Sequence, residues 1–225
     1  MTSIKQLFKS LGLSIGLLLA TIMLFESSHL DISLQDYFYN FNTQSWLVNR
    51  DAFWPNLIFY DGAKSLIIIF VLSILVGLIA FRKHPLIQTY QRRLWLIVLA
   101  GISIPLLIGA LKATTNIPCP RDIDRYGGAY PHVSLWHRYP DTYHPAEKQR
   151  CYPAGHASGG FALLALVFLF NTRRARLIIF SVVLVLASSM GIYKMLIGDH
   201  FLSHTIITAL ISWIGVRLLS YLLKI

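Results

Sequence analysis

Six apolar runs, most of them about as long as a bilayer is thick, constrain this chain more than any other feature. They cover residues 11–25, 65–81, 94–111, 157–170, 177–197 and 203–223. A helix of about 20 apolar residues crosses the roughly 30 Å hydrocarbon core of a membrane. The fourth run falls short of that length and needs Gly155 and His156 to extend it. With 55% of its residues hydrophobic and 13% charged, the chain is expected to be all-α: a polytopic integral membrane bundle of about six transmembrane helices, forming one domain over residues 1–225. No internal repeat or low-complexity segment divides it. The first run follows Lys5 and Lys9, as in a secretion signal, but Phe25-Glu26-Ser27-Ser28-His29 offers no small-residue cleavage site, so a permanent span is expected.

Charge sets the orientation. Short cytoplasmic loops retain Lys and Arg, and such residues cluster at Lys5 and Lys9, at Arg82, Lys83, Arg92 and Arg93, at Arg173, Arg174 and Arg176, and at Lys224. These positions alternate with the spans and place both ends of the chain in the cytoplasm. All ten acidic residues, from Glu26 to Asp199, then fall on the opposite side or at its membrane edge. The net charge of +10 is split between loops at opposite faces. It forms no continuous stripe for nucleic acid, and no nucleic-acid partner is expected. Much of it is topology signal, with contact to anionic membrane lipids a further use.

Two long connections, residues 26–64 and 112–152, lie on the non-cytoplasmic side. The first is aromatic, with Tyr37, Tyr39, Trp46, Trp54 and Tyr60 among others. It reads either as an amphipathic segment lying in the interface or as a wall for a lipid tail. The second is polar and rich in Pro, Gly, His and Arg, the composition of a functional loop on a rigid scaffold. Cys119 and Cys151 flank it. In an oxidising compartment they can pair, while two unlinked thiols remain the alternative. A zinc site is disfavoured, because His132, His137 and His144 accompany no tight Cys-x-x-Cys pair.

Candidate chemistry concentrates at two membrane edges. Pro153-Ala154-Gly155-His156 precedes the fourth span, and Gly198-Asp199-His200-Phe201-Leu202-Ser203-His204 leads into the last. A glycine beside a histidine at a helix start offers free backbone N–H groups and a favourable dipole to an oxyanion. Lys112, Arg121 and Lys194 add fixed positive charge nearby, with Arg a fork and Lys a point charge for phosphate oxygens. Arg125, Asp122 and Asp124 are either part of the site or a solvated cluster, and Gly155, Gly159 and Gly160 also suit close helix packing. His200 and His156 supply a nucleophile and an acid. Positive side chains can take the part that metal ions play in other phosphoryl transfers, so no metal and no cofactor is expected.

This pattern resembles the type 2 phosphatidic acid phosphatase superfamily, which spans lipid phosphate phosphatases, bacterial acid phosphatases and vanadium haloperoxidases. That family carries Lys, six residues, Arg-Pro; then Pro-Ser-Gly-His; then Ser-Arg, five residues, His, three residues, Asp. The counterparts here are Lys112 with Arg121, Pro153-Ala154-Gly155-His156, and Lys194 with His200. The resemblance, closest to the bacterial membrane-bound branch, implies that His200 attacks phosphorus, His156 protonates the leaving oxygen, and Lys112, Arg121, Gly155 and Lys194 bind the phosphate. Four positions depart from the pattern. Cys119-Pro120 stands in the strict register of Arg-Pro, Ala154 replaces Ser, Tyr193-Lys194 replaces Ser-Arg, and His204 replaces the Asp that orients the nucleophile. A neutral His204 still accepts a hydrogen bond, without the carboxylate charge.

The resulting expectation is a metal-independent phosphatase of a bacterial cytoplasmic membrane, its site facing the periplasm or exterior. It would remove a terminal phosphate from a lipid phosphate or diphosphate through a phosphohistidine. A lipid phosphotransferase of the same fold and a catalytically silent lipid-phosphate binder are the alternatives.

Overall fold

The computed structural model describes residues 4–143 and 147–225, and for residues 4–7 the backbone alone. His144 lies outside the described residues. The described residues are all-α apart from one small hairpin and an isolated bridge between Ile123 and Tyr130. Helix α1 spans Ile4–Glu26 and α2 spans Leu30–Asp36. Strands β1 (Tyr39–Asn40) and β2 (Ser45–Trp46) pair antiparallel. The short α3, Phe53–Asn56, runs through a π-helical turn, Leu57–Asp61, into α4, Gly62–Ala80. Then come α5 (Pro85–Thr115), α6 (Gly155–Ala162) with a 3₁₀ continuation over Leu163–Leu169, α7 (Arg173–Leu196) and α8 (Leu202–Leu222).

Five of these helical segments are long and apolar enough to cross a membrane, beginning at Phe8, Phe53, Pro85, Arg173 and Leu202. The fourth apolar run forms the shorter helix Gly155–Leu169. Its second half is wound as 3₁₀ helix, which rises about 2.0 Å per residue against 1.5 Å for an α-helix, so its 15 residues extend about 26 Å. The tighter winding stretches a short sequence nearly to bilayer thickness. Helix α5 goes the other way. Pro85 starts it at a position where its missing N–H costs nothing, Asn116 ends it in the left-handed conformation, and 31 residues rise about 46 Å. Lys112, in its last turn, is thereby carried to the outer edge of the bundle.

The core lies where α5, α6, α7 and α8 meet. Leu96, Ile104 and Ile108 pack with Phe161, Leu164, Ala187 and Val216. Close approach depends on small residues, as is usual between membrane helices. A Cβ on Gly160 would lie 3.0 Å from Ala187 Cβ, and one on Gly191 would overlap Thr205. Outward faces are apolar instead of polar: Leu66, Ile69, Val76 and Ile79 of α4 and Val182 and Val185 of α7 are exposed. Exposed apolar area on this scale marks contact with lipid.

The aromatic connection 26–64 takes on more than either expected role. Tyr39 and Trp46 of the hairpin pack with Ile123, Tyr126 and Phe201, so part of it clamps the second long connection, 112–152, to the start of α8. Phe53 and Trp54 stay exposed at the head of α4, as interfacial aromatics do.

Candidate active site

The turn from α7 to α8 is built to hold two side chains in fixed directions. Gly198 adopts φ 75°, a conformation that favours glycine, and a Cβ there would run into the Trp46 ring. The chain folds back so that the N–H groups of Asp199 and His200 both point to the Lys194 carbonyl, at 2.7 and 3.3 Å. Arg121 N–H meets the Gly198 carbonyl at 3.0 Å, tying the second long connection to the same turn. Asp31 of α2 accepts from the Ser203 backbone N–H at 2.9 Å, which satisfies an orphan donor in the first turn of α8. His200 emerges almost fully buried, 1% exposed.

Helix α6 begins at Gly155, so its first backbone N–H groups lack intrahelical partners. Its start is fixed against α8: Ala154 N–H donates to the His204 carbonyl at 3.2 Å, and Thr208 Oγ1 reaches the Ala154 carbonyl at 3.2 Å. That registration sets His156 Nδ1 3.1 Å from His200 Nε2. On the other side of the His200 ring, Nδ1 lies 3.4 Å from His204 Nδ1 and 3.4 Å from Cys151 Sγ. The three histidines form a row in which the middle ring touches both neighbours.

Cations ring the outer side of this row. Lys194 Nζ donates to Asp199 Oδ2 at 2.9 Å and lies 3.8 Å from the centre of the Tyr60 ring. Arg121 Nη1 donates to Asp199 Oδ1 at 2.6 Å. Lys112 Nζ sits beside Gly155, 3.9 Å from where a Cβ would be. A cavity of about 490 Å³ opens among Lys112, Arg121, Lys194, Asp199, His156 and His200. A second cavity, about 340 Å³, continues from Tyr60, Gly155 and His156 between α4 and α5, walled by Ile67, Val71, Ile102 and Pro105. The first has charged walls and the second apolar ones.

Burial, together with the neighbouring His204, His156, Lys112 and Lys194, holds the His200 imidazole well below its ordinary pKa. It is therefore neutral at pH 7, with one nitrogen carrying a lone pair.

The structure brings together the residues that the sequence singles out. Lys112, Arg121, Lys194, His156 and His200 all line the polar cavity, Gly155 borders it beside Lys112, and His204 stands behind His200. The displaced arginine is explained by the disulfide. Cys119 is bonded to Cys151, and the 3₁₀ turn that starts at Pro120 aims Arg121, two residues late, into the cavity. Arg125 does not join. It forms a forked pair with Asp36, 2.6 and 2.8 Å, that Tyr126 completes at 2.9 Å. Trp136 and His137 belong to a loop hung on Glu26, which accepts from Ser134 Oγ and from the backbone of Leu135 and Trp136.

The cavity lining extends beyond the candidates of the sequence to Arg50, Asp51, Asn56, Ile197 and the carboxylate of Asp199, and to Tyr60, which the sequence offered only among the aromatics of a lipid-tail wall. Arg50 and Tyr60 lie 62 and 52 residues before Lys112 with no spacing that links them. Asp199 was visible next to His200, but only the Gly198 turn reveals that it faces the cations and not the imidazole.

Cys151 Sγ and a nitrogen of each of His200 and His204 lie within 4.8 Å of one another. The sulfur is spent in the disulfide, and a disulfide sulfur is no thiolate ligand. In this redox state the trio does not fit a metal.

A sequence model of the PAP2 superfamily matches residues 93–224. No curated protein and no solved structure matches the chain.

Proposed function

The chain belongs to the PAP2 superfamily, and from that premise we propose that it is a membrane-embedded phosphatase that removes a terminal phosphate from a lipid phosphate or diphosphate. The observation that carries this reading is the 3.1 Å approach of His156 Nδ1 to His200 Nε2 at a cavity edged by Lys112, Arg121 and Lys194. A phosphate held there meets the His200 imidazole with a second imidazole beside it, and the contact between Nε2 and His156 Nδ1 opens as phosphorus takes its place.

In this mechanism Arg121 and Lys194 take equatorial phosphate oxygens, Lys112 and the first N–H groups of α6 take another, and the accumulating charge is stabilised by fixed donors. His200 donates its Nδ1 proton to His204 Nδ1, which leaves the Nε2 lone pair for in-line attack on phosphorus. The P–O bond to the lipid breaks as the N–P bond forms, and His156 delivers its proton to the departing oxygen. Dianionic phosphate favours the imidazolium form of His156 that this requires. In the second step His156 takes a proton from water, which hydrolyses the phosphohistidine. The apolar cavity that shares Tyr60 and His156 with the polar one receives the first stretch of the lipid chain, which suits an amphiphile better than a soluble ester.

The chain is read as one domain of six crossings, with Gly155–Leu169 as the shorter fourth, the cation-rich loops in the cytoplasm and the site facing outward, as in a bacterial inner membrane. Phosphate release from phosphatidate, phosphatidylglycerophosphate and polyprenyl diphosphate tests the reaction. His200→Ala should abolish turnover, and His156→Ala should lower it about 10²–10⁴-fold, the range of a positioned acid. Undiminished activity in His200→Ala would sink the mechanism. One observation favours a second reading: Asp199 already engages both Arg121 and Lys194. Lipid-phosphate binding without any phosphate release would identify a silent binder.

A further inference from the structure

We infer that reduction of the Cys119–Cys151 disulfide converts Cys151, His200 and His204 into a binding site for a borderline-soft divalent ion of the Zn²⁺ type. The ion would silence His200. The three ligand atoms are already gathered within 4.8 Å. Two of the separations, Cys151 Sγ to His200 Nδ1 and His200 Nδ1 to His204 Nδ1, are each 3.4 Å. The edge of a tetrahedron with metal–ligand bonds of 2.0–2.3 Å is about 3.3–3.8 Å, so little movement is needed.

The surroundings are those of a prepared site. Cys151 donates its N–H to the Ile117 carbonyl at 3.0 Å, which leaves its own carbonyl as the backbone group that hydrogen-bonds the His204 ring. A ring hydrogen bond to a carbonyl is the usual outer support of a metal-bound histidine. His200 has the equivalent support from His156 at its Nε2. Cys119, released by the same reduction, starts within bonding distance of Cys151 Sγ and is at hand as a fourth ligand. What the oxidised protein lacks is the thiolate alone.

Access favours attack at one sulfur. Cys119 is half-buried and lines the polar cavity, whereas Cys151 is fully buried. A thiolate of an external dithiol attacks Cys119 Sγ, the S–S bond breaks, and Cys151 leaves with the electron pair. The second thiol of the reductant then displaces Cys119, so the dithiol is oxidised to its cyclic disulfide and the protein gains two thiols. The metal takes the Cys151 thiolate and one lone pair from each histidine, and any thiol proton goes to solvent. A neutral imidazole has only one unprotonated nitrogen. With Nδ1 of His200 on the metal, Nε2 carries the proton and has no pair to offer phosphorus. This last consequence rests on the proposed reaction, while the metal site does not.

The test uses the full chain in detergent, oxidised or treated with dithiothreitol and then freed of it without air. Titration with Co²⁺ should give a thiolate-to-cobalt charge-transfer band, and Zn²⁺ should compete for about one site per reduced chain, with neither seen in the oxidised chain. His204→Ala, purified with its disulfide intact and then reduced, should weaken binding by more than the about 10–100-fold that loss of an outer partner costs. Cys119→Ser should bind the ion without any reductant. Equal metal content in oxidised and reduced protein, or undiminished affinity in reduced His204→Ala, overturns the site. Zn²⁺ should stop phosphate release by the reduced chain and a chelator should restore it. Metal binding with unchanged release overturns the silencing, and an oxidised chain that releases no phosphate overturns the proposed function while the cobalt band stands.

Discussion

At the scale of single residues, His204 is the position where this chain departs most from its family's chemistry. Its Nδ1 lies 3.4 Å from His200 Nδ1, close enough to orient the His200 ring, and where an aspartate would add a carboxylate charge to stabilise the imidazolium, an imidazole adds none. His204→Asp restores a carboxylate beside His200. An opposite charge favours the protonated ring, so the acid limb of the pH–rate profile should move to higher pH, whereas His204→Ala should cost about 10²-fold or more in kcat without that movement. An unchanged profile in His204→Asp would show that the residue only fills space. The sequence pointed to seven residues that the fold gathers around one cavity, because most of them are rare polar types at the ends of apolar runs. It did not disclose Arg50, and it offered Tyr60 only among the aromatics of a lipid-tail wall, because both types are unremarkable in a long connection and their places depend on how α4 packs.

At the scale of elements, the site depends on two joints. One is the crossing of α7 and α8, where a Cβ on Gly191 would overlap Thr205. Gly191→Ala should push the helices apart at the base of the turn that carries Asp199 and His200. Overpacking costs about 1–3 kcal/mol, but a shift near 1 Å at the reacting atoms can cost 10²-fold in rate. Activity should therefore fall much further than thermal stability, and equal losses would refute the linkage. The other joint is Asp31 on the α8 start. Burial raises its pKa to about 6, above the roughly 3.9 of an unfolded chain. Between those values the folded state holds the extra proton, so stability falls as pH rises from about 4 to 6. Asp31→Asn should remove that part of the slope in a series of melting curves, and an identical slope would exclude Asp31 as its source. Neither joint was legible beforehand. Apolar runs reveal that helices exist, but the 3₁₀ winding of Leu163–Leu169 and the start of α5 at Pro85, nine residues before its apolar run, arise from packing and headgroup-level polar residues that hydropathy does not register.

At the scale of the whole molecule, charge and apolarity are separated along two directions at once. Acidic residues stand only toward the site end of the bundle, where Asp199 balances part of the Arg121, Lys194 and Lys112 charge and leaves an excess suited to a phosphate. Sideways from that excess, the apolar cavity lies between α4 and α5, where its lining residues Ile68, Leu72 and Ile102 are exposed. A substrate with a phosphate at one end and a hydrocarbon at the other can satisfy both directions without exposing either part to the wrong surroundings. Gly101 lines this cavity opposite Val71, and an added Cβ there would press on the Val71 side chain. Gly101→Leu should therefore close the chain slot while leaving the phosphate site intact. If two methylenes lose their place at about 0.8 kcal/mol each, kcat/KM for a long-chain lipid phosphate falls about 15-fold. Hydrolysis of a short-chain, water-soluble phosphate ester should be little changed. Equal loss on both substrates would mean that Gly101 serves helix packing alone, and no loss on either would place the hydrocarbon elsewhere on the bundle.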